Sequence, residues 1–275
     1  MPCASNEYEM LMGRIAIFGT RVWVLWCAGL LLVCVSLARA AEQSKEVLEL
    51  QPLQAGITLP VAVGHTLCAG KVKPGTVIVM KTTQRVPVSE YSYLKRGAAV
   101  RGEVMTSDAG DRTAARPAKL TIRFTQLSYR GMTVPLETKA VAMANLMYVD
   151  GTFLPLMGGP DRGNSSEASW TTAQVGGEQV VRSGWIGPVV GRGVITVGHA
   201  DYYGVYSLPV QLGGADGVPV PLAMGVFSTT ARGLYGYDTG TQLESSGGSI
   251  TITNPMGRAV IRAGDHLLLE VVAGR

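Results

Sequence analysis

The run KLTIRFTQLSY, from Lys119 to Tyr129, shows the pattern that decides the fold. Leu120, Ile122 and Phe124 alternate with polar residues, and this period of two is typical of a β-strand with one buried face. After Phe124 the apolar phase slips by one position, to Leu127. We therefore predict a strand that contains a bulge or changes sheet near this point.

The same kind of run recurs along the chain. Strands are predicted at Thr76–Thr83, Ala98–Met105, Val194–Val197, Val205–Leu208, Val218–Val226, Ser249–Thr253 and His266–Val272. Parallel α/β folds need crossover helices, but apart from the apolar N-terminal segment only Glu42–Leu50 has a helical pattern. The sequence therefore predicts an all-β fold, an antiparallel β-barrel or sandwich, with a Gly-rich, loop-rich second half.

One type of turn occurs three times. An apolar residue, a basic residue, any residue and a glycine follow one another at Val72–Gly75, Leu94–Gly97 and Ile261–Gly264, each before a β-prone run. Glycine supplies a positive φ at a turn, and the basic side chain stays in water. This recurrence favours an antiparallel meander or barrel.

The composition excludes several classes of protein. Of the 275 residues, 47% are hydrophobic and 16% are charged, whereas disordered chains are poor in apolar residues and rich in charge. The 35 glycines have no period of three, so a collagen-like chain is excluded as well. The net charge of +4 is small and scattered, and no nucleic-acid partner is expected.

The N-terminal region has the pattern of a secretory signal. An uncharged apolar run, Val22–Leu37, follows Arg14 and Arg21 and is followed by Ala38-Arg39-Ala40. We expect cleavage after Ala40 and export to the periplasm or cell envelope. The alternative is that the segment is not cleaved and anchors the protein in the inner membrane; no other contact with a membrane is expected. Cleavage would leave Cys68 as the single remaining cysteine, so no intramolecular disulfide is expected.

A shift in composition suggests how the chain is divided. All seven lysines lie between Lys45 and Lys139, and glycine becomes much more frequent after residue 150. We predict a signal peptide at 1–40, a short lead segment at 41–55, a β-barrel-like domain at 56–143 and a long connection at 144–179. A Gly-rich β region at 180–275 is expected to pack with the first domain.

No catalytic signature is found in the sequence. Gly64–Val72 resembles a phosphate-binding loop but has the wrong spacing and lacks the final Ser or Thr. His65, His199 and His266 have no second ligand at metal-binding spacing. We predict a protein that is not an enzyme and has no catalytic residues, metal site or cofactor. A cryptic hydrolase remains an alternative, because His199 and Asp201 would share one face of a strand.

Tyrosines are concentrated in two Gly-rich stretches. Tyr202 and Tyr203 lie in one, together with Tyr206, and Tyr235 and Tyr237 lie in the other. Tyrosine in such loops makes amphipathic contact surfaces for proteins or glycans. We predict that Tyr202, Tyr203, Tyr235 and Tyr237 contribute a binding surface, with Tyr235 and Tyr237 on one face; the alternative is packing between sheets.

The order of strands and turns in the first half is similar to that of a known family. The stretches that carry the similarity are GITLPV (56–61), PGTVIV (74–79), KRGAAVRGE (95–103) and Leu120–Leu136. They resemble the exported β-barrel domain of the VirB10/TrbI family of type IV secretion. The resemblance implies a barrel fold, and for function it implies a component of a secretion or conjugation assembly with ring oligomers and an uncleaved anchor.

A second resemblance extends over most of the chain after residue 40. QVGG at 174–177 and VFS…GLYG within 226–236 are similar to stretches of uncharacterised exported bacterial β-proteins with the same barrel-like start. We therefore expect an exported, non-enzymatic β-protein of the cell envelope that binds or scaffolds. Its partner would be an envelope protein or a glycan.

Overall fold

A ten-stranded sheet curls into a nearly closed barrel; six of its strands come from residues 58–144 and four from residues 233–271. The structure is a computed structural model. It describes residues 52–89, 92–157, 169–183, 186–201, 204–207, 210–211 and 219–272. The predicted signal peptide and residues 41–51 of the predicted lead segment lie outside these residues. The chain from Pro52 onward belongs to one compact unit.

The regular elements are almost all strands, which confirms the predicted all-β class. The strands before the helix are β1 Thr58–Val63, β2 Leu67–Cys68, β3 Val77–Thr82, β4 Val86–Pro87, β5 Tyr93–Leu94, β6 Ala99–Asp108, β7 Ala118–Tyr129, β8 Met132–Pro135 and β9 Thr138–Ala144. Helix α1, Leu146–Gly151, comes next. It is followed by β10 Pro155–Met157, β11 Ser169–Ala173, β12 Gln179–Ser183, β13 Gly187–Val190, the 3-10 turn Arg192–Val194, β14 Thr196–Asp201 and β15 Gly204–Ser207. The last are β16 Val210–Gln211, β17 Pro219–Val220, β18 Ala223–Gly225, β19 Gly233–Tyr235, β20 Gln242–Ser246, β21 Ser249–Asn254, β22 Val260–Ile261 and β23 His266–Val271.

The barrel sheet has the strand order β19-β9-β23-β1-β3-β6-β7-β21-β20, with β8 paired to β7. Neighbouring strands are antiparallel except β19 and β9, which are parallel. Near its open seam the backbone N–H of Ala140 in β9 donates to Ser245 Oγ in β20 at 2.8 Å. A hydrogen bond to a side chain thus joins β20, at one end of the sheet, to β9, the second strand from the other end.

Strand β7 contains the predicted bulge. Arg101 pairs with Gln126 and Gly102 with Phe124, so Thr125 has no partner in β6. The extra residue lets both Phe124 and Leu127 point into the barrel core, where each is almost fully buried. The slip in the apolar pattern is therefore confirmed as a bulge.

The three repeated turns have the same backbone conformation. Gly75, Gly97 and Gly264 have φ values of +83°, +88° and +89°, a region that L side chains rarely adopt. Each glycine precedes a barrel strand, namely β3, β6 or β23. The predicted turn chemistry is confirmed at all three positions.

A second sheet, with the order β10-β11-β12-β13-β14-β15-β18, forms a curled half-barrel. It is an antiparallel meander, and it packs against the outside of the barrel around a second hydrophobic core. Strand β23 contributes to both cores: Leu267 and Leu269 point into the barrel, whereas Leu268 belongs to the second core. This double burial explains the three consecutive leucines, Leu267–Leu269, in HLLLEVV.

Helix α1 lies in the stretch where the sequence predicts a connection. Asn145 caps it by accepting a hydrogen bond from Tyr148 N at 3.1 Å, and Asp265 Oδ1 accepts one from Leu146 N at 3.2 Å. Six residues are too few for an amphipathic pattern, and Met147 is 80% exposed. Within the described part of the chain, no helix has the length and hydropathy to cross a membrane.

Candidate functional site: a cleft around Arg85

The cleft is built where the barrel meets the second sheet. Gln84, which follows the end of β3, is fully buried. Its Nε2 lies 3.4 Å from Val205 O, to which it donates, and its Oε1 accepts a hydrogen bond from Gly225 N at 3.0 Å. These contacts fix the barrel segment against β15 and β18 and place the next residue, Arg85, beside Tyr206.

The guanidinium of Arg85 lies between aromatic rings. Its Cζ is 5.2 Å from the ring centre of Tyr93 and 5.9 Å from that of Tyr206. Its Nε donates to Tyr206 Oη at 3.2 Å, and its Nη2 lies 3.7 Å from Asp201 Oδ2. The hydrogen bond to Tyr206, more than any other contact, raises the pKa of Arg85 further, so the cation is permanent. The Arg85 side chain is 58% exposed and is therefore accessible to a ligand.

Three strands of the second sheet complete the cleft. Pro188 in β13 pairs with His199 in β14, which pairs with Tyr206 in β15, so the three lie in one row across the sheet. Asp201 is two positions after His199 in β14 and shares its face. The structure thus places the predicted pair His199 and Asp201 beside the cation Arg85.

The cleft has a volume of about 460 Å³, within the range of small-ligand sites. It is lined by Arg85, Pro87, Tyr93, Pro188, Thr196, Gly198, His199, Tyr206, Ser207 and Pro221. Three prolines and two tyrosine rings provide most of its apolar wall. The polar groups are a fixed guanidinium, an exposed imidazole and hydroxyls.

Tyr206 is not a base. Burial, followed by the charge of Asp201, raises the pKa of Tyr206 to about 12. The phenol is therefore protonated at neutral pH, and it donates to the carbonyl oxygen of Arg85 at 3.0 Å.

Ser207 borders the cleft but does not form a nucleophile–base pair with His199. It follows Tyr206 in an extended strand, so its side chain points to the opposite face of the sheet from Tyr206 and His199. Its Oγ accepts a hydrogen bond from Leu222 N at 3.3 Å. A serine hydrolase would need this hydroxyl within hydrogen-bond reach of the imidazole.

The tyrosines predicted as a binding surface lie elsewhere. Tyr202 and Tyr203 are outside the described residues. Tyr235 and Tyr237 are half-buried, and neither lines the cleft. We predicted that the two rings share a face, but Tyr237 packs against the barrel core and Tyr235 against the second core.

Hydrogen bonds hold both of these rings. Tyr237 Oη donates to Asp265 Oδ2 at 2.6 Å, and burial together with this bond raises its pKa far above the usual value. Tyr235 Oη accepts from Arg232 N at 3.1 Å, and its ring centre lies 6.3 Å from that of Tyr148. Both side chains contribute to packing between the strands and the neighbouring loops.

The two stretches of the second resemblance pack against each other. Val175 N donates to Val226 O at 3.0 Å, and Ser228 N donates to Val175 O at 2.7 Å. The buried carboxylate of Glu178 accepts hydrogen bonds from both the backbone N–H and the hydroxyl of Thr229. The stretches therefore form one element of the second core.

Sequence reasoning did not predict Arg85 or Tyr93 as site residues. Arg85 and Tyr206 are 121 positions apart, and their contact depends on how the two sheets pack. The signals available in the sequence were the tyrosine-rich stretch containing Tyr206 and the His199–Asp201 spacing.

Metal binding and known relatives give no further lead. Among the described residues, no three His, Cys, Asp or Glu side chains come together as a metal site. No protein-family model, curated protein or solved structure matches the chain. A functional interpretation therefore depends on the Arg85 cleft.

Proposed function

We propose that this is an exported, non-enzymatic binding protein of the cell envelope, whose Arg85 cleft binds an acidic group on a glycan or protein. The observation that carries the proposal is the Arg85 guanidinium, held between Tyr93 and Tyr206 at a cleft of about 460 Å³. The signal-like N-terminal sequence supports export.

The geometry of Arg85 suits an anionic ligand. A planar guanidinium can bind a carboxylate through two parallel hydrogen bonds, and less rotamer entropy is lost when the side chain is already held. The 3.7 Å separation from Asp201 exceeds hydrogen-bond length, so this ion pair does not use the Nη donors.

The walls of the cleft suit an extended ligand with apolar faces. Tyr93 is 42% exposed, and Pro87, Pro188 and Pro221 are rigid and lack backbone N–H donors. Aromatic and proline surfaces pack against the carbon faces of sugars or against a peptide. Recognition would then combine one charge contact with stacking.

The test is binding of purified protein to carboxylated envelope glycans and acidic envelope peptides, measured by calorimetry. Arg85→Gln should weaken binding at least about tenfold, the usual effect of losing a charged hydrogen bond. Arg116→Gln is a matched control, because Arg116 is 55% exposed and is also paired with an aspartate, Asp108.

Three results would contradict the proposal. Equal loss of binding in the Arg85 and Arg116 variants would show a general charge effect, and unchanged binding in Arg85→Gln would exclude the cleft. Cleavage of the ligand that depends on His199 would establish the hydrolase alternative instead. Melting temperatures of all variants should match that of the wild type.

A further inference from the structure

A second concave site lies between the outside of the barrel and the second sheet. It is a groove of about 570 Å³. Leu268 of β23 and Met224 of β18 form its floor, and both are buried. Val141 of β9, Val197 of β14 and Leu222 are half-buried and form its walls. The groove is therefore lined mainly by aliphatic side chains from both sheets.

Two exposed aliphatic residues stand beside the groove. Ile195, which lines it, is 65% exposed, and the adjacent Val194 is 83% exposed. Val194 has a φ of +63°, an unfavourable conformation for a β-branched residue. Ile195 thus extends the apolar surface of the groove toward solvent.

The two charged side chains in the described lining of the groove differ in their ionic partners. Of its two charged lining residues, Glu270 forms an ion pair with Lys139 at 2.9 Å. Arg232 donates through Nη1 to the carbonyl oxygens of Ala231, at 2.6 Å, and Thr229, at 3.3 Å. In the described part of the chain, Arg232 makes no ion pair. Its position at the groove favours an anionic group there.

Three of the four hydroxyl groups in the lining, those of Thr58, Ser207 and Thr229, already have hydrogen-bond partners. Thr58 Oγ1 donates to Ala223 O at 2.7 Å, Ser207 Oγ accepts from Leu222 N, and the Thr229 hydroxyl donates to Glu178. An extended peptide would need hydrogen bonds for its backbone, because burying unpaired N–H and C=O groups is costly. A hydrocarbon chain has no such requirement.

We propose that this groove binds the acyl chain of a fatty-acid-class amphiphile, with the carboxylate at Arg232. The volume lies within the range of small-ligand sites. The aliphatic floor and walls would take the chain, and the guanidinium would fix the head. The groove and the Arg85 cleft both border Thr196 and Ser207, but Arg232 and the aliphatic lining belong to the groove alone. The proposal does not rest on the function proposed for the cleft.

The test is calorimetric titration of the full chain with decanoate, dodecanoate and tetradecanoate, each below its micelle concentration. Each pair of added methylene groups should tighten binding about fifteenfold until the groove is full. Dodecanol, which lacks the carboxylate, should bind at least about tenfold more weakly than dodecanoate.

Two variants locate the head and the tail. Arg232→Gln should reduce the affinity for dodecanoate to that for dodecanol, whereas Arg258→Gln, at another exposed arginine, should not. Ile195→Ser should weaken the binding of all three acids by a similar factor. Because the Ile195 side chain is exposed, the substitution should leave folding intact. Arg85→Gln should have no effect on these titrations.

The proposal is overturned by affinities that do not rise with chain length. It is also overturned if Arg232→Gln and Arg258→Gln behave alike, or if dodecanol binds as tightly as dodecanoate. Binding abolished by Arg85→Gln but not by Arg232→Gln would assign the acids to the other cleft and refute the groove as their site.

Discussion

Replacing Gly204 by alanine tests the junction between the barrel and the second sheet. An added Cβ would lie 1.7 Å from Gln84 Oε1, 2.8 Å from Gln84 Cδ and 3.3 Å from Gly225 Cα. Real Cβ contacts are essentially never below 3.0 Å, so the amide of Gln84 must move by more than an ångström. That movement breaks its hydrogen bonds to Gly225 N and Val205 O.

The cost follows from these lost contacts. Leaving a buried polar group without a partner costs about 1–3 kcal/mol, and two groups lose theirs. The φ of +153° at Gly204 adds backbone strain for alanine, about 1–3 kcal/mol. We expect Gly204→Ala to lower the free energy of unfolding by about 3 kcal/mol or more.

The free energy of unfolding is measured by urea unfolding followed by far-UV circular dichroism, and a double-mutant cycle with Gln84→Ala isolates the effect of the clash. In a Gln84→Ala background the clash is absent, so Gly204→Ala should cost only the backbone strain. The coupling energy between the two positions should be about 2 kcal/mol or more. Gly64→Ala is the control, since no atom lies within 4 Å of its added Cβ, and should change stability by less than about 0.5 kcal/mol.

Additive effects of the two substitutions would refute this reasoning. They would show that Gln84 and Gly204 do not compete for the same space. A small cost for Gly204→Ala alone would show that the amide of Gln84 can move without losing its partners.

Three further predictions concern other parts of the molecule. Asp265→Ala removes the carboxylate that accepts hydrogen bonds from Leu146 N, Arg262 N and the Tyr237 hydroxyl, and it should lower the free energy of unfolding, measured by urea titration, by roughly 3–5 kcal/mol. Asp238→Ala, at an exposed position, is the control and should change this free energy little. Burial lowers the pKa of His266 from 6.5 to about 4, so the unfolded protein takes up a proton on this imidazole at a higher pH than the folded protein does. The free energy of unfolding should therefore fall by roughly 3 kcal/mol as the pH drops from 6.5 to 4, and His266→Leu should remove this fall. Equal pH profiles of stability for the wild type and the variant would contradict the prediction. N-terminal sequencing of exported protein should begin at Ala41, and recovery of the full-length chain from the inner membrane would disprove cleavage.

The sequence predicts the fold class because local residues determine it. The alternation in β7, its slip after Phe124 and the turn glycines are all short-range patterns, and each corresponds to a feature of the barrel. The sequence predicts HLLLEVV as a strand but not its burial on both faces, although the three consecutive leucines at 267–269 are typical of such a strand. The half-barrel and the parallel pairing of β19 with β9 depend on long-range packing, for which the sequence has no comparable signal.

The candidate site was only partly predictable for the same reason. Strand alternation predicts that His199 and Asp201 share a face, and the structure places both near Arg85. Arg85 itself looks like an ordinary surface arginine in the sequence, and its contacts with Tyr206 come from the opposite sheet. Tyr237 lies beside glycines, a pattern typical of contact loops, yet Asp265 holds it in place.

The position of β23 affects the order in which the protein can fold. This strand is made after every other described strand, yet it lies between β1 and β9, and Thr58 pairs with Glu270. Neither core is complete before it arrives, because β23 supplies Leu267 and Leu269 to one and Leu268 to the other. Pairing between such distant residues slows folding. A nascent chain can therefore complete neither core until β23 has been made, so the barrel sheet can close only after all the other described strands have been synthesised.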